Sequence, residues 1–316
     1  MLLLYQGDGF NANFFRHAGL EIDNSFYLED GEERLLLVHK MNECYAEDNF
    51  SGKVLTYSRN PMKKLEKLLR RKKVEADLRS LPASLYARLS SFCKPEDVSR
   101  ELAKGRMRKS PGEVETIAEA TEATRELLRS HMDSFGKTGK AVYASLLAKT
   151  YRTGLSPAFG PIVASGEATS YPHSLPSNEK IHDLLMLDYG VRKDRYCSDL
   201  TRVYFEGRNG EQRKIYEFLQ GAVGELVEML PEFGNARELA MHAESLFRKA
   251  KMHLPPHSFG HGVGLEVHEF PIISRHSKHR LDNCVFTLEP AVYFPGRYGL
   301  RYEEVIYFDG KKGRIL

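Results

Sequence analysis

The segment HSFGHGVGLEVHEFP, residues 257–271, holds three of the chain's 12 histidines together with Glu266 and Glu269. Imidazole is a common transition-metal ligand and a proton carrier near neutral pH, so three in one stretch point to metal or acid–base chemistry. The acids that could share such a site lie elsewhere. LLMLDYGVRKDRYCSDLTRVYF (184–205) reads as a hairpin with its turn at Lys193 and Asp194. That register sets Asp188 directly across from Asp199, on one face. Like charges so placed destabilise a sheet, and apolar neighbours such as Leu187 and Leu200 deepen the cost. A dication bound between the two reverses the sign. Asp194, at the turn itself, is a turn residue rather than a ligand.

Two further acids sit in apolar strands. VFTLEPAVYF presents Glu289 just before Pro290, and GLRYEEVIYF presents Glu303 and Glu304. A carboxylate there is costly without a partner. Strand alternation sends Glu303 and Glu304 to opposite faces and so admits one of them inward, without choosing which. Two aspartates, two glutamates and histidine suit two divalent transition ions sharing bridging oxygens; an all-oxygen set would suit calcium or magnesium. Cys44, Cys93, Cys197 and Cys284 are scattered and form no CxxC pair, so they suggest neither a thiolate zinc site nor a disulfide framework.

The elements that must position these residues alternate between helix and strand, giving an α/β (α+β) fold. Near GRMRKSPGEVETI a boundary separates residues 1–105 from 106–316. Ser110 and Glu113 match a capping box with Pro111 at the first helical position. From there Val114, Ile117, Ala118, Thr121 and Leu128 line one face of a helix reaching about Met132. A second helix covers 138–151, and strands follow over SPAFGPIVASG, LLMLDYGV and YCSDLTRVYF. Helices over 211–230 and 236–250 come next, and then strands to the end. Helix, helix, strands thus occurs twice, the pattern of a pseudo-two-fold repeat. The first part reads as strands SFYLE and RLLLVHK around an acidic turn, with helices near 62–73 and 83–93 and no cluster of ligand-type residues.

Length alone makes two domains the expectation for 316 residues. A hydrophobic fraction of 41% with 28% charged residues excludes a disordered chain. The opening MLLLYQGDGF has neither a basic leader nor a long apolar run, and no later segment offers the length a membrane span needs. No membrane association and a cytoplasmic location are therefore expected. A net charge of +3 gives no reason to invoke nucleic acid. The basic run MKKLEKLLRRKK (62–73) has Leu65, Leu68 and Leu69 at helical spacing, as in an amphipathic surface helix with a solvated face, a phosphate-binding patch being the alternative.

The ordered set DYG…YCSDLTR, HSFGHGVGLEVHEFP, TLEPAVYF and LRYEEV resembles the pita-bread metallopeptidases: the prolidase and aminopeptidase P group and, more distantly, methionine aminopeptidase. The resemblance covers essentially all of 106–316 as a pita-bread catalytic domain. Residues 1–105 are similar to the smaller creatinase/prolidase N-terminal domain. It implies two divalent ions, Mn²⁺ or Co²⁺ with Zn²⁺ or Fe²⁺ as alternatives, held by Asp188, Asp199, His261, Glu289 and Glu303. It also implies Glu289 as general base, His268 beside the oxyanion, and His173 and His257 against the substrate. The activity implied is hydrolysis of the N-terminal Xaa-Pro bond of dipeptides or short peptides by a homodimer. Methionine-type specificity and a non-catalytic pita-bread module that binds peptide or nucleic acid are the alternatives. Where some prolidases carry an arginine that grips a dipeptide carboxylate, this chain has Ile272, with Arg275 the nearest alternative.

Overall fold

The computed structural model describes all 316 residues, which form two compact units, Met1–Arg106 and Met107–Leu316. In the first, β1 (Leu2–Gln6), α1 (Ala12–Ala18), β2 (Ser25–Asp30), β3 (Glu33–His39), α2 (Glu43–Asn49) and β4 (Lys53–Tyr57) precede α3 (Met62–Leu69). Then come β5 (Val74–Ala76), α4 (Ala83–Leu89), β6 (Pro95–Asp97) and α5 (Ser99–Gly105). The strands make one mixed sheet in the order β4-β3-β2-β1-β5-β6. The basic run is an amphipathic helix, as its spacing implies, but α3 stops at Leu69. It buries Met62, Leu65 and Leu69, while Leu68 is only partly covered.

The second unit opens with α6 (Pro111–Arg129), where Ser110 and Glu113 form the capping box in full. The helix ends three residues short of Met132, and Ala118 lies at the edge of its buried face. α7 (Gly139–Arg152) is capped by Thr138. Next come β7 (Ser156–Pro157), β8 (Ile162–Ser165), β9 (Leu184–Tyr189), β10 (Val191–Lys193), β11 (Tyr196–Cys197) and β12 (Leu200–Phe205). The second half repeats the plan. α8 (Gly210–Glu228) and α9 (Ala236–Lys249, capped by Asn235) lead into β13 (His261–Gly262), β14 (Glu269–Ile272) and β15 (Cys284–Leu288). β16 (Ala291–Phe294), β17 (Tyr298–Arg301), β18 (Glu304–Phe308) and β19 (Gly313–Ile315) complete it.

Sheets in the orders β12-β9-β8 and β14-β13-β15-β18-β19 are antiparallel throughout. Their central strands are buried on both faces. Along β9, Leu184 and Met186 enter the core that contains α8 and α9, while Leu185, Leu187 and Tyr189 enter the core that contains α6 and α7. Asp188 falls on the Met186 side, so strand alternation dictates its direction.

The hairpin register differs from the sequence expectation. Asp188 pairs with Thr201, and Tyr189 with Leu200, because the turn centres on Asp194 and Arg195. Both of those residues have positive φ, 45° and 73°. The register has moved by two residues, so every side chain keeps its face. Asp199 is therefore a diagonal neighbour of Asp188 rather than its direct partner. The ladder is interrupted between Cys197 and Leu200, where Gly190 is needed: a Cβ there would sit 1.9 Å from the Ser198 carbonyl oxygen.

Candidate metal centre

Asp188, Asp199, His261, Glu289 and Glu303 line one cavity of about 960 Å³ in the second unit, together with His173, His257 and His268. The strands that carry them converge here. The backbone N–H of Glu303 donates to the Thr201 carbonyl at 3.3 Å, tying the residue before β18 to β12. Glu289 occupies the break between β15 and β16 rather than a strand interior, and its N–H donates to Phe259. His261 starts β13 between two glycines that its neighbours require. A Cβ at Gly260 would fall 1.9 Å from the Thr287 carbonyl oxygen, and one at Gly262 would fall 2.1 Å from that of Phe270.

The His261 ring has a defined tautomer. Its Nδ1 lies 3.2 Å from the Gly262 carbonyl, which can only accept, so Nδ1 carries the proton. Nε2 then turns a bare lone pair toward Asp199 Oδ2 and Glu289 Oε1, each 3.7 Å away. A lone pair facing two carboxylates is repulsive unless a cation lies between them. Asp199, His261 and Glu303 each place a ligand atom within 4.8 Å of the others. Asp199 Oδ1 is buried with no hydrogen-bond partner, a costly state for an ionised oxygen. These residues fit divalent metal by donor type and by what they leave unsatisfied.

Electrostatics carry the same message. Burial raises the carboxyls of Asp199 and Glu289 well above the usual range, and the neighbouring Glu303 charge adds to it. Burial, helped by Asp188, pushes Glu303 up to about 8. Asp188 is also raised by burial, although Arg301, which donates to it, pulls the other way. Four acids thus crowd one space against a single guanidinium. Burial lowers His261 to about 3 and His257 to about 4, and it also lowers His268. The His268 ring lies 4.3 Å from that of His261.

Several residues at the site escape a sequence reading. Arg301 donates to Asp188, to the Tyr293 hydroxyl at 2.7 Å and to Thr201 Oγ1 at 3.0 Å. The His257 Nδ1 faces the Ser258 carbonyl at 2.8 Å, so Nε2 accepts from the Tyr293 hydroxyl at 3.1 Å. A continuous chain of hydrogen bonds therefore runs Asp188–Arg301–Tyr293–His257. Thr201 Oγ1 donates to Glu303 at 2.8 Å. Only Arg301 left a signal: two residues before Glu303 in an apolar strand, it shares that residue's face. Glu304 takes the other face, where it accepts from Arg202, Arg125 and the Tyr302 hydroxyl. Glu269 is buried in an ion pair with Lys109 at 2.9 Å, away from the ligand set. Arg275 does not line the cavity; it faces Glu244 at 3.7 Å, whereas Ile272 does line it.

Comparison with known proteins places the chain in the same company. The model of metallopeptidase family M24 matches residues 113–309. An uncharacterised peptidase of Methanocaldococcus jannaschii is 33% identical over 226 residues, 68% of this chain and 65% of that protein. An Xaa-Pro dipeptidase of Pyrococcus furiosus is likewise 33% identical, over 69% of this chain and 64% of that protein. The chain thus spans just under two thirds of the length of these curated relatives. Among solved structures, an X-Pro aminopeptidase of Thermotoga maritima superposes with a TM-score of 0.90 at 26% identity, over 99% of this chain and 94% of the other. A prolidase of Pyrococcus horikoshii gives 0.89 at 26% identity, over 99% and 92%. The pita-bread fold is shared with both.

Proposed function

We propose that this chain, which belongs to metallopeptidase family M24, is a dinuclear-metal exopeptidase that hydrolyses the N-terminal Xaa-Pro bond of short peptides. The observation that carries the reading is the His261 Nε2 lone pair facing Asp199 and Glu289, beside a buried, unpartnered Asp199 oxygen. The relatives named as Xaa-Pro dipeptidase and X-Pro aminopeptidase supply the proline preference.

Asp188, Asp199, His261, Glu289 and Glu303 would hold two divalent ions; the donor set suits Mn²⁺, Co²⁺, Fe²⁺ or Zn²⁺, and the family resemblance favours Mn²⁺ or Co²⁺ among them. When bound, such ions supply a nucleophile from water at neutral pH and polarise the peptide carbonyl. Glu289 is the general base: it takes the water proton and delivers it to the leaving nitrogen. An N–H of His268 donates to the carbonyl oxygen as it gains charge. His173 and His257 hold the substrate, and His257 is braced for this by Ser258 and Tyr293. Arg301 donates to Asp188 and holds its carboxylate in place. In this reading 107–316 is the catalytic domain and Met1–Arg106 its smaller companion, and the protein works in the cytoplasm as a homodimer. No helix is long and apolar enough to cross a membrane.

The test is metal removal and reconstitution with a panel of Xaa-Pro peptides and Met-Ala peptides. Chelated protein is expected to be inactive and to regain Xaa-Pro cleavage with Mn²⁺ or Co²⁺. Xaa-Pro hydrolysis that survives complete metal removal refutes the mechanism, and a preference for Met-Ala peptides refutes the specificity.

A further inference from the structure

A dipeptide cut at its one peptide bond carries its free carboxylate on the carbon next to the scissile nitrogen. A site made for dipeptides must take in that anion and pair it, because a desolvated carboxylate without a partner is costly. Among the side chains lining this cavity, Arg301 is the one lysine or arginine. Its guanidinium is already committed to Asp188, Tyr293, Thr201 and, at 3.5 Å, the Pro172 carbonyl.

Two other basic side chains of this unit, Lys109 and Arg275, are committed elsewhere. Lys109 is locked to Glu269, with both side chains 1% exposed. Arg275, three residues past Ile272, turns to Glu244 and is 59% exposed. His173 and His268 offer at most single N–H donors, where a guanidinium would offer a two-pronged grip. Apart from Arg301 and the four acids and the histidines of the metal centre, the wall is uncharged, with Tyr143, Phe159, Ile162, Val267 and Ile272 in it. At about 960 Å³ the cavity sits near the top of the roughly 300–1,000 Å³ typical of sites for drug-sized ligands, which leaves room beyond two residues.

We infer that the cavity takes peptides of three or more residues, or dipeptides with a capped C-terminus, in preference to free dipeptides. The inference rests on the exopeptidase reading above and narrows its substrate class. A neutral peptide or amide group meets the wall without an unpaired charge; a free carboxylate leaves one.

The experiment compares Ala-Pro, Ala-Pro-amide and Ala-Pro-Ala on the full-length, Mn²⁺-reconstituted protein. The amide and the tripeptide are expected to exceed the free dipeptide in kcat/KM by about tenfold or more. A free dipeptide cleaved as well as its amide, or better, overturns the inference. If none of the three is cleaved, the exopeptidase reading fails. Calorimetric binding of the acid and amide to the same protein then decides the present point: tighter amide supports it, and tighter acid overturns it. Ile272→Arg, which installs a cation on the wall, is expected to shift the acid-to-amide ratio about tenfold toward the acid, whereas Ile272→Met leaves that ratio alone. A folded Ile272→Arg protein with an unshifted ratio also overturns the inference; if it does not fold, the wild-type ratio decides.

Discussion

Replacing Glu303 with glutamine should stabilise the metal-free protein, and by more as the pH rises. In the folded state the Glu303 carboxyl is pushed from 4.5 up to about 8, by burial first and then by Asp188. An acid with a raised folded pKa contributes its full stability below the unfolded value, near pH 4.5. It loses that stability as pH climbs toward the folded value near 8. At about 1.4 kcal/mol for each tenfold change in proton affinity, the ceiling is roughly 5 kcal/mol. Asp188, Asp199 and Glu289 share the repulsion, so about half of that, 2–3 kcal/mol, is the working expectation for this one side chain. In a unit of about this size each kcal/mol moves Tm by roughly 2–4 °C. Glutamine keeps an oxygen for the Thr201 hydroxyl but cannot ionise. Thermal unfolding of chelated wild type and Glu303→Gln, followed from pH 5 to pH 8, should therefore diverge by about 5–10 °C in favour of the variant. Added Mn²⁺ should reverse the order at pH 8, because the wild type gains binding energy and the variant gains little. Parallel pH curves for the two chelated proteins would refute the reasoning, since the site would then not be a cluster of mutually repelling acids.

Three further outcomes follow from the same geometry. Lys109→Met removes the cation that faces the buried Glu269 carboxylate, so chemical denaturation should show a loss of about 3–5 kcal/mol, and a double replacement that also removes the Glu269 charge should recover most of it. Thr201→Val removes the hydroxyl shared by Glu303 and Arg301; metal affinity by titration calorimetry should fall roughly 10–100-fold, with Thr201→Ser close to wild type. His268→Ala should retain metal stoichiometry by elemental analysis while kcat drops by about 10²-fold or more, and unchanged turnover would remove His268 from its assigned role.

What the sequence makes legible here is what local chemistry decides. The start of α6 is visible because Ser110, Pro111 and Glu113 satisfy the first turn among themselves. The amphipathic face of α3 is visible because three apolar residues share a 3.6-residue period. Long-range pairings leave no such trace: Lys109 and Glu269 are 160 residues apart, and neither has a neighbour that announces the other. The hairpin register departs from the sequence expectation because the turn uses Asp194 and Arg195 at positive φ, with no Asn-Gly pair to mark its centre. The face of each aspartate survived because the slip was an even number.

The choice between Glu303 and Glu304 shows why parity matters more than any one residue. Alternation alone leaves the two glutamates interchangeable. They are distinguished by a second alternating pair on β12, where Thr201 and Arg202 point to opposite faces. Thr201 Oγ1 meets Glu303, while the Arg202 guanidinium reaches Glu304 and, at 3.0 and 2.7 Å, the carbonyls of Thr201 and Glu303. A slip of one residue between these segments would bring Arg202 to the cavity side against Glu303 and place a fixed cation among the acids of the cavity. It would also leave Glu304 buried without a counter-charge from β12. The cost of that buried charge holds the register in which Glu303, and not its neighbour, faces the cavity.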